Sequence, residues 1–272
     1  MKPQGGGEGG FCEGAGWLPL REEDGACLRQ ERQGRGGGPV LVSLKRRGSS
    51  LRRTLRGETV VAAATRRVSQ CQKPRGWLGR LALWNMNSRH SKVTDWGLAH
   101  VSVDAHDTVL DVGCGGGRTV SKLAAMAAQG KVYGADFSEA SVAASRHTNA
   151  RWIETGCVEI HHASVSQLPF PDGMFDLITA VETHFWWPNL PGDLREVLRV
   201  LRPGGTFLVI AEIYKGANTT MARLCEKYAP VTGLTFLSVD EHREMLANAG
   251  HSEVQVVTDP RKGWICATGR KP

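Results

Sequence analysis

The sequence predicts an α/β fold: a mostly parallel sheet with helices on both faces and a C-terminal antiparallel hairpin. Three observations predict it. Short apolar runs alternate with helical patterns from residue 108 to residue 213, the signature of strand–helix–strand units. The first run, Val109-Leu110-Asp111-Val112, opens into Gly113-Cys114-Gly115-Gly116-Gly117, a glycine loop that empties onto a helix. Two strand-like runs, 253–257 and 264–268, are joined by Asp259-Pro260-Arg261-Lys262-Gly263, a turn sequence that makes them an antiparallel pair.

The elements follow in order. Residues 91–101 read as a helix with Trp96, Leu98 and Val101 toward the core, and 108–112 as the first strand. A helix over 118–129 has Gly130 as its C-cap, and the second strand, 131–136, ends in Asp136. Ser138 caps a helix running to about residue 151. The third strand is 157–161 and the fourth is 175–182, apolar enough to be central. A helix over 189–201 is broken by Arg202-Pro203-Gly204-Gly205, a stop and tight turn before the fifth strand, 206–213. Residues 217–235 contain a helix outside the minimal repeat, placed as a lid over the strand ends. Ser238 and Glu241 form a capping box for a helix through residue 249, which Gly250 stops.

Composition narrows the function classes. The chain has 272 residues and a net charge of +7, but residues 1–73 hold 14 Lys+Arg against 7 Asp+Glu, and the rest balances at 20 of each. The basic character therefore belongs to the first quarter and is no argument that the folded part grips nucleic acid. Residues 1–73 also carry 14 glycines and little apolar periodicity, so they read as a disordered Gly/Arg-rich extension. The same stretch reads as sequence upstream of a start at Met86 or a nearby codon. Residues 74–107 are expected to cap the domain formed by 108–272. Seven cysteines make no C-x-x-C pair, which suits a reducing, cytoplasmic setting, and no apolar run approaches the ~18 residues of a membrane span.

The glycine loop carries the chemistry. Glycines allow close approach of a ligand to the backbone, and the following helix N-terminus favours an anion such as a carboxylate or phosphate. A dinucleotide fingerprint fails, because the sixth position from Gly113 is Arg118, and no Gly-Lys-Ser/Thr follows for a P-loop. What remains is acidic-x-Gly-x-Gly-x-Gly led by Asp111, with a second acid, Asp136, 19 positions beyond Gly117, about where nucleotide-binding α/β folds hold a ribose.

This pattern resembles the first motif of the class I S-adenosylmethionine-dependent methyltransferases. Ala163-Ser164-Val165-Ser166-Gln167-Leu168-Pro169-Phe170 resembles that family's Gly-Asp-Ala-x-x-Leu-Pro-Phe segment, with Ser164 where the family has Asp. The stretch from Leu194 to Gly205 is similar to another shared segment. The resemblance covers roughly residues 77–269 and is nearest to the small-molecule group of ubiquinone and menaquinone biosynthesis. It implies a Rossmann-like seven-stranded sheet, S-adenosyl-L-methionine as cofactor and a small-molecule methyl acceptor. It further implies that Gly113, Cys114 and Gly115 meet the methionine part through their backbone, with Asp111 orienting it. Asp136 would hold the ribose, Phe137 would pack on the adenine, Ser164 and Val165 would border the adenine edge, and Val181 would pass beneath the sulphonium.

Methyl transfer from a sulphonium is an in-line displacement, needing a base only when the acceptor must lose a proton. Glu182 and His184, just past the fourth strand, sit where such a base belongs, and Trp186 and Trp187 are placed to wall the acceptor. Trp84, His90 and Trp96 are further candidates for a segment folding over the cofactor. No metal site is expected. Two other readings stay open: a non-catalytic S-adenosylmethionine-binding regulator, and a nucleic-acid methyltransferase. The second is disfavoured by the missing Asn/Asp-Pro-Pro-aromatic and Pro-Cys signatures.

Overall fold

The computed structural model describes residues 90–272. The expectations for residues 1–73, a start near Met86 and a role for Trp84 lie outside the described residues. The described chain builds β1 (Thr108–Val112), β2 (Lys131–Asp136), β3 (Val158–His162), β4 (Phe175–Val181), β5 (Leu201–Ala211), β6 (Ser252–Asp259) and β7 (Trp264–Arg270) into one sheet of order β3-β2-β1-β4-β5-β7-β6. The first five strands are parallel, and β7 runs antiparallel to both β5 and β6. This is the Rossmann-like seven-stranded sheet that the sequence resemblance implied.

Period-two alternation explains the layering. In β1, Val109 faces one side and Leu110 the other. On the first side Val109 joins Val93 of α1 (Ser91–Leu98), Leu123 of α2 (Arg118–Met126) and Val142 of α3 (Glu139–Thr148). On the second, Leu110 joins Phe175 and Phe207 with Val197 of α5 (Leu190–Val200) and Leu246 of α7 (Val239–Asn248). A third, smaller cluster lies under α6 (Thr220–Thr232), the helix that the sequence reading placed outside the repeat. The capping box of α7 forms as read: Glu241 N–H donates to Ser238 Oγ at 3.2 Å and Glu241 Oε2 accepts from Ser238 N–H at 2.6 Å.

Several boundaries differ from the sequence reading. α2 stops at Met126, and Gly130 is not its cap: it is required because a Cβ there would lie 2.1 Å from Asp107 O, where the chain crosses into β2. The helix after Ser138 breaks at Asn149 into α3 and α4 (Ala150–Glu154). Arg202-Pro203-Gly204-Gly205 is no stop between helix and strand. Leu201 already pairs with Phe175 and Thr206 with Leu177, so the four residues form an irregularity inside β5.

The strand order sets the position of the site. From β1 the chain winds outward through β2 and β3, then returns to lay β4 on the other side of β1. The loops after β1 and β4 therefore diverge and leave a crevice at the carboxyl ends of the strands, the usual ligand position in open α/β sheets.

Candidate active site

A cleft with about 830 Å³ of open space occupies that crevice. Its floor is Asp111 and the loop from Gly113 to Gly116; its flanks are Asp136 and Phe137 after β2 and Val181, Glu182 and Thr183 after β4. His90, Ser91 and Thr94 at the start of α1 close it from above, and α1 is tied to α2 by a Lys122–Asp95 ion pair.

The glycine loop is fastened to the sheet. Gly113 N–H and Cys114 N–H both donate to Ala135 O, at 2.8 and 3.1 Å. Gly115 N–H donates to Asp136 Oδ2 at 2.9 Å, and the other oxygen of Asp136 accepts from Ser138 N–H at 2.9 Å. Those three loop amides are committed within the chain, as is Cys114 O, which accepts from Gly117 N–H at 2.9 Å. Behind the loop, buried Asn149 donates from Nδ2 to Gly117 O at 2.9 Å. Sequence reasoning passed over Asn149, whose only signal was a polar residue interrupting a helical pattern.

Asp111 is 2% exposed and pairs in register with Thr179 of β4, whose hydroxyl donates to Oδ1 at 2.7 Å. Burial pushes its carboxyl up to about 7; the Thr179 bond opposes that and the nearby Asp136 charge adds to it. Burial likewise raises Asp136 above the ordinary carboxylate value, against the pull of its two backbone bonds. The Cys114 thiol is pushed well up, first by burial and then by Asp136 and Asp111, so it is a packing group and no nucleophile.

Of the residues assigned to the cofactor or to the base from the sequence, eight line the cleft: Asp111, Gly113, Cys114, Gly115, Asp136, Phe137, Val181 and Glu182. Ser164, Val165 and His184 do not. Ser164 is exposed and accepts from Ser166 N–H within its own turn, while Val165 is buried in the core cluster under α5. His184 is 2% exposed, with Nε2 3.1 Å from Nε2 of His242, and is not part of the cleft lining. Trp186 lines the cleft, whereas Trp187 is buried and stacked on Phe207 at 6.2 Å. His90 is in the cleft wall, and Trp96 packs on Trp264. Glu212, just after β5, was missed: its carboxylate lies 3.2 Å from His90 Nδ1, and ligand atoms of His90, Glu182 and Glu212 all fall within 4.8 Å of one another.

The buried histidine pair has a measurable consequence. His242 Nδ1 lies 2.7 Å from Ser238 O and so carries the proton; its Nε2 then accepts from His184 Nε2–H, and both rings are neutral. Burial holds His184 well below the usual histidine value and lowers His242 as well. Stability from the pair is complete above about pH 6.5 and is lost as pH falls below it, because the unfolded rings take up protons that the folded ones refuse. The melting temperature is expected to fall between pH 7 and pH 5, and His184→Phe, if it folds, to flatten that slope.

With the geometry in place, the comparisons with known proteins become informative. A methyltransferase domain family model matches residues 110–209, the segment from β1 to β5. The chain is 30% identical over 201 residues to a demethylmenaquinone methyltransferase of Shouchella clausii, over 64% of this chain and 83% of that protein. The chain belongs to the S-adenosylmethionine-dependent methyltransferase family. S-adenosylmethionine is the cofactor of that family. Methyltransferase relatives extend further: an O-methyltransferase, cnsE, of Penicillium expansum is 30% identical over 154 residues, 57% of this chain. The match spans about half of that relative's length, 55%. A solved SAM-dependent methyltransferase of Aquifex aeolicus, 21% identical, shares the methyltransferase fold with a TM-score of 0.57 over 69% of this chain and 96% of that one.

Proposed function

We propose that this chain moves a methyl group from S-adenosylmethionine to a small-molecule acceptor by in-line displacement, with catalysis supplied mainly by positioning and exclusion of water. The observation that carries the reading is the strand-end cleft, where the glycine loop, a buried carboxylate at 111 and a second carboxylate at 136 converge.

The residues present fit this cofactor. A Cβ built on Gly115, at φ +52°, meets nothing nearer than Gly113 O at 4.0 Å, so the glycine keeps open space in a cleft that any side chain would fill. The backbone of residues 113–115 would meet the methionine part, and Asp111 would orient it. Asp136 would hold the ribose hydroxyls, and Phe137, 44% exposed at the rim, would lie against the adenine. When bound, the sulphonium supplies a methyl group already activated by a neutral leaving group. Val181, Thr183 and Trp186 would then shape the space beyond it for the acceptor. Two relatives are named for small-molecule acceptors, a demethylmenaquinone methyltransferase and a 27-O-demethylrifamycin SV methyltransferase, which supports a small-molecule acceptor here. No described helix is long and apolar enough to cross a membrane, and four described cysteines are free thiols, which supports a reducing, cytoplasmic setting.

The test is transfer of labelled methyl from S-adenosylmethionine by the purified full chain to phenols, quinols, amines and thiols. Label in any of them supports the reading. Cofactor binding without transfer to any of them would favour a regulator.

A further inference from the structure

Asn149 stands at the joint between α3 and α4 and is fully buried, at 0% exposure, although it is polar. Its Nδ2 donates to Gly117 O at 2.9 Å and to Ser145 O at 2.9 Å. Both partners are carbonyl oxygens, so they settle which way the amide points. Neither carbonyl depends on the bond. Gly117 O also accepts from Ser121 N–H at 3.1 Å, and Ser145 O also accepts from the backbone N–H of Asn149 at 3.0 Å. The cost falls on Oδ1, which is buried and has no hydrogen-bond partner among the described residues. An apolar side chain of the same shape would leave no polar atom unpaired at this position. Stability of the fold alone therefore does not account for an amide here.

What the amide does is join two elements that flank the cleft. Gly117 is the residue before α2, and Arg118 and Thr119 at the start of α2 line the cleft. α3 follows Asp136 and Ser138, and its Ser141 lines the cleft as well. Loop and helix meet closely: a Cβ on Gly117 would lie 2.4 Å from Ser145 Oγ and 2.5 Å from Asn149 Nδ2. Cys114 Sγ reaches Ser145 Oγ at 3.7 Å, a second point of contact on the buried side of the loop. Asp136 fastens the loop from the cleft, through Gly115 N–H at 2.9 Å, and Asn149 fastens it from behind. We infer that Asn149 is a positioning residue for the cofactor: its amide sets the glycine loop and the start of α2 at the distance from α3 that the nucleoside part of S-adenosylmethionine requires. The inference rests on the methyltransferase reading above. Asn149 is not part of the cleft lining and acts through Gly117.

The experiment is calorimetric titration of the full chain, as wild type, Asn149→Leu and Asn149→Ala, with S-adenosylmethionine and S-adenosylhomocysteine, beside a thermal melt of each. Leucine fills the space of the amide and alanine leaves a cavity, so Asn149→Ala is expected to melt lower than Asn149→Leu. Both variants lack the amide, so both are expected to bind the two compounds about 10-fold more weakly than wild type, the fold-change of one lost hydrogen bond. Affinity that follows the melting temperature instead, near wild type in Asn149→Leu and weakened only in Asn149→Ala, would overturn the inference. Affinity unchanged in both would do the same. Should Asn149→Leu not fold, hydrogen exchange in Asn149→Ala decides. Faster exchange at the Gly115 and Gly117 amides, with β1 and β2 unchanged, supports the inference; exchange raised evenly across the sheet overturns it. The wild type separates the two levels: uptake of neither compound removes the methyltransferase reading, whereas uptake that the variants match removes this inference alone.

Discussion

Asp136→Ala is expected to weaken S-adenosylmethionine binding by about 100-fold and to lower the melting temperature by several degrees. The carboxylate accepts two backbone N–H groups, from Gly115 and Ser138, while being only 7% exposed. A hydrogen bond to a charged group contributes about 1.5–3 kcal/mol, and an unpaired buried donor costs about as much again. Removing the side chain therefore unfastens the glycine loop from β2 and removes the proposed ribose ligand in one step. Asp136→Asn separates these effects poorly, since its amide nitrogen would face an N–H donor. Calorimetry at low temperature, where the variant stays folded, reads the binding loss apart from the stability loss. Unchanged cofactor affinity would remove Asp136 from the site.

Asp111→Asn is expected to stabilise the free protein in mild alkali while impairing it as a cofactor binder. Burial raises this carboxyl to about 7, from an ordinary value of 3.8. A raised value in the folded state means that the stability attached to the group is complete below about pH 4 and is lost as pH climbs through 7. By pH 8.5 the cost of holding it ionised is about 4 kcal/mol, because each unit corresponds to roughly 1.4 kcal/mol. Asparagine keeps the shape and an acceptor for the Thr179 hydroxyl without that cost, so the melting temperature at pH 8.5 should rise by about 5–10 °C and differ little at pH 4. The wild type should show the complementary linkage: a cation entering the cleft favours the ionised carboxylate, so binding of S-adenosylmethionine below pH 7 should release about one proton, measured by calorimetry in buffers of different ionisation enthalpy. In Asp111→Asn that release should vanish. Proton release unchanged in the variant would assign it to another group.

The sheet and many of the residues that line the cleft were legible in the sequence because they depend on local rules. Strand-like apolar runs, glycines where the backbone must bend and an acid at the end of β2 are written in consecutive residues. The misreadings share a different cause. His184 follows β4 as a base would, yet which way it faces is decided by His242, 58 residues later, which meets it at 3.1 Å. Ser164 was placed by resemblance to a family segment; it is exposed, and its hydroxyl accepts from Ser166 N–H at 3.2 Å within its own turn. Gly130 looked like a helix stop and proved to be a site of close backbone approach. Glu212 carried no motif at all; it gains meaning only from β4–β5 register and from a ring contributed by the start of α1. Contacts made across the sheet ends are set by tertiary packing, and spacing along the chain does not encode them.

The central claim is that the crevice between the ends of β1 and β4 holds S-adenosylmethionine, and calorimetric titration of the full chain with that compound tests it most directly. The account predicts saturable one-to-one binding, competed by S-adenosylhomocysteine and weakened about 100-fold by Asp136→Ala, the size expected from losing two charge-assisted hydrogen bonds. A protein with native circular dichroism and a cooperative melt that takes up neither compound would contradict it.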